Sequence, residues 1–398
     1  MNVIFISPHF PPNFQSFVKR LKEEGASVLG LSDVPYEHLG QEVQSNLTEY
    51  YRVNDMHNYD DVLRAVGYLT YRFGKIDRID SLNEYWLELE AKVRTDFNIF
   101  GFQQEDIMRI KRKSEMKRVF QSIGLDCAAG EIFESEKQAR LFIKKVGYPI
   151  VAKPDIGVGA AQTYKIENDT DLKSFIKENL DCDYIMEAFI EAPIVTFDGL
   201  TDHDGNIVFS ASHRYSQGIM EVVNADSDVY YWGVRDIEPE LEKIGRNIVK
   251  AFNVKERFFH FEFFMGKGGK ITALEVNMRP PGGMTVDMFN YANNFDCYRA
   301  WAELLVHGKT SQAGKRPYFV IYVGRKDTLP YRRDHDTVLG EFESLVVHHA
   351  RVSDVFSRAI GNYGYILRHE KLDPLIKAAT EIQERTAKLT GVSRNDIL

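Results

Sequence analysis

Residues 258–285, FFHFEFFMGKGGKITALEVNMRPPGGMT, constrain the fold of this chain more than any other stretch. Two runs of alternating apolar side chains flank Gly266–Gly269, the pattern of a β-hairpin. A two-residue turn at Gly268-Gly269, which that dipeptide favours, sets Glu262 opposite Glu275 and His260 opposite Asn277. The period of two then gathers those four residues on one face, with Phe261, Phe263, Leu274 and Val276 on the other. Directly opposed carboxylates repel, and nothing within the hairpin offsets the repulsion. Two carboxylates beside an amide oxygen are hard-oxygen ligands of the kind Mg²⁺ takes. An ordinary hairpin with a solvated polar face is the alternative. It accounts for neither the flanking aromatics nor the Arg279-Pro-Pro-Gly-Gly run that follows at once.

A chain of 398 residues exceeds one typical domain and predicts two or three packed units. With 44% hydrophobic and 12% aromatic residues it can fill large cores. Lys plus Arg number 50 against 58 Asp plus Glu, so the formal charge of −8 gives a nucleic-acid partner no global attraction. Cys127, Cys182 and Cys297 are far apart in sequence and show no CxxC spacing, which suits free thiols in a reducing compartment. Met1 leads straight into an apolar strand, with no basic leader and no long apolar run. The expectation is a cytoplasmic protein without a membrane partner.

Taken in order, NVIFIS (2–7), a helix over Phe14–Glu24 and a strand at Ser27–Leu31 make a βαβ start, which implies a parallel sheet. The loop after the first strand lacks GxGxxG, so a dinucleotide site is not expected there. Its HFPPNF run either touches substrate or simply connects. Helices over Asp60–Tyr71 and Glu84–Asp96 close a first unit. RIKRKSEMKR (109–118) is either a basic tract or, as favoured here, the charged start of a helix ending near Gly124. In the strand YPIVAKP (148–154), Lys153 is costly to bury unless paired, and a polyphosphate is a natural partner. The small-residue loop DIGVGAAQ follows immediately, with backbone N–H groups able to close over phosphates. YIMEAFI (184–190) reads as a strand with a lone Glu187. Residues 195–212 read as an antiparallel hairpin, followed by His213 and Arg214. A strand near 317–323 and RAIGNYGYIL followed by an amphipathic helix from about Pro374 complete the pattern.

This ordered series resembles the ATP-grasp superfamily. Its parts are a basic residue in a helix before a strand, the lysine of YPIVAKP, a small-residue loop, YIMEAFI, and E-(x12)-E-x-N-x-R. The match runs from about Arg109 to His307. The resemblance implies an ATP-grasp fold, α/β and α+β. An N-terminal pre-ATP-grasp βαβ domain occupies 1–105. A small lid half carrying Lys113 and Lys153 takes 106–190, and a metal-binding catalytic half takes 191–310. An antiparallel C-terminal module, 311–398, packs on the core.

It also implies roles for particular positions. Lys113 and Lys153 contact ATP phosphates under a loop containing Gly157, Val158, Gly159 and Ala160. Glu187 and the backbone near Ile190 contact adenine, and Glu191, or less favourably Asp198, contacts ribose. Glu262, Glu275 and Asn277 are the Mg²⁺ ligands, for one or two ions, with Mn²⁺ able to substitute. Arg279 stabilises the acyl phosphate and tetrahedral intermediate. His260, Arg214 and Gly283 are candidate substrate contacts.

The implied activity is an ATP-dependent ligase joining a small-molecule carboxylate to an amine, on an amino acid or peptide, through an acyl phosphate. A homodimer fits the family. Two alternatives stand beside it. One is a bicarbonate-activating enzyme of the carbamoyl phosphate synthetase or biotin carboxylase kind, needing partner subunits. The other is a non-catalytic nucleotide-binding regulatory protein.

Overall fold

The computed structural model describes residues 1–157, 162–178, 180–312 and 314–386, apart from the side chains of Ile219, Glu221 and Asn224. Three sheets organise these residues.

The first is parallel, from β1 (Asn2–Ile6), β2 (Ser27–Ser32), β3 (Glu49–Arg52) and β4 (Arg78–Asp80), in the order β3-β2-β1-β4. Strands β1 and β2 are buried almost throughout, as their unbroken apolar sequences require. The chain winds from β1 to β3 on one side and returns to β1's other flank for β4. That reversal brings two loops together beyond the carboxyl ends of β1 and β4, the usual place for a ligand in such sheets. Those loops are residues 7–14 and 81–86.

The second sheet is antiparallel: β5 (Gly130–Ile132), β6 (Ile150–Pro154), β7 (Tyr164–Ile166) and β8 (Tyr184–Ala188), ordered β5-β8-β6-β7. It has its own small core, including Phe142, Ile150, Phe175 and Met186.

The third sheet holds β9 (Ile194–Thr201), β10 (Ile207–Ala211), β11 (His213–Tyr215), β12 (Tyr230–Gly233), β13 (Phe258–Met265), β14 (Ile271–Asn277), β15 (Phe319–Arg325), β16 (Val346–Arg351) and β17 (Tyr363–His369). Strand β15 pairs with both β12 and β17. The C-terminal strands therefore continue the sheet that holds the hairpin instead of forming a separate one.

The hairpin register is Glu262 opposite Glu275 and His260 opposite Asn277, as the sequence predicts. Two deviations cancel to produce it. The turn is longer than two residues, a tight 3-10 turn over Lys267–Gly269 closed by Gly266 N–H to the Lys270 carbonyl, with Gly268 at φ 70°. A register shift after Glu262 then pairs Phe263 with Ala273, leaving Leu274 as the extra residue of a bulge. The buried face is consequently Phe259, Phe261, Phe263, Ile271, Ala273 and Val276, and Leu274 is displaced from its expected place there.

A buried ionic group joins the parallel domain to this hairpin. Arg257 donates to Asp80 at 2.8 Å and Glu90 at 3.2 Å, and its Nε donates to the Met278 carbonyl at 2.5 Å. Arg94 donates to the same Glu90 at 2.9 Å. Loop 81–86 and Arg279 are thus both tied to one guanidinium.

Candidate active site

Strands β6 and β8 and the helix over 113–122 contribute a paired-lysine arrangement. Lys153 Nζ lies 2.7 Å from Glu187 Oε2, and Lys117 Nζ lies 2.6 Å from Glu187 Oε1. All three side chains are buried. Burial alone would push the Glu187 carboxyl up, but Lys153 and Lys117 overcome it and hold the group down at about 2. Burial opposes the Lys153 ammonium too, yet Glu187 and then Glu275 raise its pKa above the ordinary value. Sequence reasoning took Glu187 as an adenine contact; here its carboxylate is occupied by two ammonium groups.

Lys113, at the start of the helix Lys113–Ser122, donates to the Gly157 carbonyl at 2.9 Å and lies 3.7 Å from Glu275 Oε2. It links the start of the small-residue loop to the hairpin carboxylates. Val158, Gly159 and Ala160, the rest of the expected phosphate loop, lie outside the described residues. Lys117 is one helical turn from Lys113 on the same face. That spacing within RIKRKSEMKR was the available signal, and it went unused.

On the hairpin, burial would raise the Glu275 carboxyl, while Lys113 and Lys153 keep it below its ordinary value. Asn277 Nδ2 donates to Glu275 Oε1 at 3.4 Å, which leaves Asn277 Oδ1 as an acceptor. Among the described residues no three His, Cys, Asp or Glu side chains cluster as a ready metal site. The donor set is two opposed carboxylates and one amide oxygen beside lysines. Such a set fits Mg²⁺, which takes one or two carboxylates and fills its octahedron with phosphate oxygens and water.

His260 is more constrained than a general substrate contact. Its Nδ1 lies 2.5 Å from Asp198 Oδ1 and its Nε2 lies 3.0 Å from Glu262 Oε1. Burial disfavours the imidazolium, but Asp198 and Glu262 outweigh it and lift the pKa to about 9. Asp198 also faces His213 Nδ1 at 2.8 Å and accepts from Thr196 Oγ1 at 2.6 Å. Burial would raise Asp198; the two histidines instead bring it to about 2. Fully buried in this network, Asp198 is not the alternative ribose acid. Glu191, by contrast, is exposed, and Ile190 half-buried. The pairing of Asp198 to His260 was missed because it requires β9 beside β13, a contact distant in sequence.

Arg279 Nη1 donates to the Pro280 carbonyl at 2.8 Å, and its Nε is 3.9 Å from Glu84 Oε2, beyond hydrogen-bonding reach. The side chain is not locked in a structural bridge. Two expected substrate contacts are otherwise engaged. Arg214 pairs with Glu238 and reaches Met265 Sδ, while its neighbours in β11 alternate to the other face. Gly283 sits at φ 62°, where a Cβ would meet Ile360 Cδ1 at 2.4 Å, and Asn13 Nδ2 donates to its carbonyl at 3.0 Å. Asn13 belongs to the HFPPNF loop, so that loop meets the glycine turn directly.

This combination of a parallel sheet, a small antiparallel lid and an antiparallel sheet bearing E-(x12)-E-x-N-x-R is the ATP-grasp fold. Residues 146–287 match the family model described as the ATP-grasp domain.

The chain is similar over its whole length to the crystal structure of an L-amino acid ligase from Bacillus licheniformis. The TM-score is 0.73 at 14% identity, covering 96% of each chain. It is comparably similar to N5-carboxyaminoimidazole synthetase from Staphylococcus aureus complexed with ADP, with TM-score 0.72, 14% identity, and 96% and 97% covered. In sequence it is 22% identical over 256 residues to the L-arginine-specific L-amino acid ligase of Bacillus subtilis, covering 62% of each. It is 23% identical over 200 residues to the multifunctional protein pyr-3 of Neurospora crassa, covering 47% of this chain. The chain spans 10% of the length of that fungal relative and 62% of the Bacillus subtilis one. No helix among the described residues is long and apolar enough to cross a membrane.

Proposed function

We propose that this protein is an ATP-dependent, ADP-forming ligase that joins a small-molecule carboxylate to an amine, with an amino acid or peptide as substrate. One observation carries the reading: Lys113 and Lys153, from the lid side, both bear electrostatically on Glu275, whose strand leads directly to Arg279. Phosphoryl transfer needs positioning and charge neutralisation above all, and these side chains supply both.

Glu262, Glu275 and Asn277 Oδ1 are the residues that would hold Mg²⁺, one ion or two, with Mn²⁺ an acceptable substitute for the same oxygen donors. Bound there, the ion neutralises charge on the terminal phosphates. Lys113 and Lys153 neutralise the remaining phosphate oxygens. A substrate carboxylate oxygen attacks the γ-phosphorus as its bond to the β,γ-bridging oxygen breaks, and ADP leaves. The amine nitrogen then attacks the acyl carbon, the carbon–oxygen bond to phosphate breaks, and the amine gives up a proton. Arg279 faces the negative charge that develops on the acyl oxygen. In this reading residues 125–186 form the lid that keeps water from the acyl phosphate.

The test is phosphate release from Mg-ATP against paired amino acids, amines and carboxylic acids. Release that depends on both a carboxylate and an amine is expected. Release stimulated by bicarbonate without an amine would replace this reading with bicarbonate activation. Silence across the whole panel would leave a nucleotide-binding protein without catalysis.

A further inference from the structure

Strand β9 carries a polar patch that the ligase chemistry above does not use. Its residues on the hairpin's polar face are Ile194, Thr196, Asp198 and Leu200. The outer two lie opposite Phe264 and Phe258, whereas Thr196 lies opposite Glu262 and Asp198 opposite His260. On this face β9 is thus polar only in the two rows where β13 is polar. Thr196 and Asp198 are both 0% exposed, and a buried carboxylate is costly even when paired. Stability alone does not account for it, because apolar residues of similar volume often serve a core as well as a buried ion pair.

Each oxygen of Asp198 has its own task. Oδ2 accepts from Thr196 Oγ1 at 2.6 Å and faces His213 Nδ1 at 2.8 Å. Thr196 Oγ1 is itself fixed by the backbone N–H of His213 at 3.0 Å. Oδ1 is left to His260 Nδ1 at 2.5 Å, and the far nitrogen of that ring, Nε2, lies 3.0 Å from Glu262 Oε1. A carboxylate oxygen only accepts, so both ring nitrogens carry hydrogen and the ring bridges two carboxylates. The two hairpin acids differ in what holds them. Glu275 has the Asn277 amide at 3.4 Å and Lys113 at 3.7 Å. Among the described residues Glu262 has His260 alone, and its Oε2 makes no hydrogen bond. It also stands beside the bulge, where the local twist increases. The hairpin by itself does not settle the direction of the Glu262 carboxylate. The ring does, and the ring is set by Asp198.

We infer that Asp198 is a positioning residue for the metal ligand Glu262: by holding His260 it keeps Glu262 Oε1 occupied and leaves Oε2 to the cation. The inference deepens the ligase reading and rests on its assignment of Mg²⁺ to the hairpin. Metal-bound histidines are oriented in a related way, by a carboxylate on the ring nitrogen that does not touch the ion. Here the chain is one residue longer, because the imidazole holds the ligand and Asp198 holds the imidazole. Without Asp198 the ring has no acceptor at Nδ1 and is free to turn. Glu262 then faces Glu275 with nothing to keep two repelling carboxylates in register for an ion.

Mn²⁺ binding to the full chain, saturated with a non-hydrolysable ATP analogue, tests this. It is read by electron paramagnetic resonance as loss of the free-ion signal, with the analogue's own Mn²⁺ binding subtracted. Asp198→Asn should weaken Mn²⁺ binding by about 10–100-fold, the usual cost of removing a group that holds a metal ligand. Affinity for the analogue measured in EDTA should stay as in wild type. Adding Asp198→Asn to His260→Gln should cost no more than His260→Gln alone, because both act along one path. His213→Gln breaks the other side of Asp198 while Thr196 still holds Oδ2. It should lower the melting temperature and leave Mn²⁺ affinity close to wild type. If Asp198→Asn does not fold, its combination with His213→Gln, which removes the imidazole left facing the amide, takes its place with the same expectation. Wild-type Mn²⁺ affinity in the Asp198 variant overturns the inference and leaves the metal at the hairpin. So does a loss in His213→Gln as large as that in Asp198→Asn, which would make Asp198 a packing residue. If Glu275→Gln also binds Mn²⁺ as wild type does, the metal assignment itself fails and takes this inference with it.

Discussion

Lys153 and Lys117 grip opposite oxygens of one buried carboxylate, Glu187, at 2.7 and 2.6 Å. Two cations on one anion leave a surplus positive charge in the lid before any nucleotide arrives. If Lys153 moves to a phosphate, Lys117 remains to compensate Glu187, so the movement does not strand a buried anion. Lys117 also donates to the Ala128 carbonyl at 2.9 Å, and Gly130 makes room for it, since a Cβ there would meet Lys117 Cε at 2.9 Å. Lys117→Met should therefore bind Lys153 to Glu187 as its sole counterion and weaken ATP binding by roughly 10-fold. Adding Glu187→Gln should restore much of the loss, because Lys153 is then free. Calorimetric ATP affinities for the single and double variants check this. A double variant no better than Lys117→Met would show that Lys117 acts only in packing.

The opposed Glu262 and Glu275 repel in the absence of a cation. Lys113 at 3.7 Å and His260 at 3.0 Å relieve only part of that. Glu275→Gln removes half of the carboxylate pair while keeping its shape, and activity should fall by at least about 10³-fold, in line with several kcal/mol of lost charge stabilisation. Chelation with EDTA should abolish wild-type turnover and excess Mg²⁺ should restore it. Turnover indifferent to EDTA would remove the metal from this hairpin.

How far the sequence led is clearest at this hairpin. Alternation placed the four polar residues on one face without any knowledge of neighbouring strands, because a strand's period is local. The turn length was misjudged by one residue, and a bulge at Leu274 compensated for it. Bulges answer to packing against the rest of the sheet, which a single stretch does not reveal. Lys153 was legible because a lysine within an apolar strand needs a reason to be there, and Lys113 only through the resemblance to the ATP-grasp superfamily. The pairing of Asp198 to His260 was not. Asp198 looks ordinary in its own stretch, and becomes distinctive only when β9 lies beside β13.

Arg279 is held by one hydrogen bond to a neighbouring carbonyl and by an ion pair to Glu84 at 3.9 Å, too long for a hydrogen bond. Its removal should therefore cost catalysis more than folding. Arg279→Ala should lower kcat by about 10²–10³-fold, the usual effect of deleting a group that stabilises developing charge. ATP affinity should change little, and the melting temperature should stay near wild type. A variant that loses ATP binding and kcat together would place Arg279 with the nucleotide instead of the acyl oxygen.

The His260–Asp198 pair sets a distinct pH response. His260 titrates near 9 in the folded chain against an ordinary 6.5, so its pairing stabilises the fold fully below 6.5 and is lost as pH rises through 9. Asp198 moves the other way, to about 2 from 3.8, so its contribution is present above 3.8 and is lost as pH falls toward 2. Thermal melting should thus hold a plateau between those limits and decline on the alkaline side between 6.5 and 9. His260→Gln carries no charge to lose and should melt lower than wild type at pH 6, with the difference shrinking steadily toward pH 9. A difference that stays constant across that range would mean that the imidazole is neutral in the fold and that its two carboxylate contacts are ordinary hydrogen bonds.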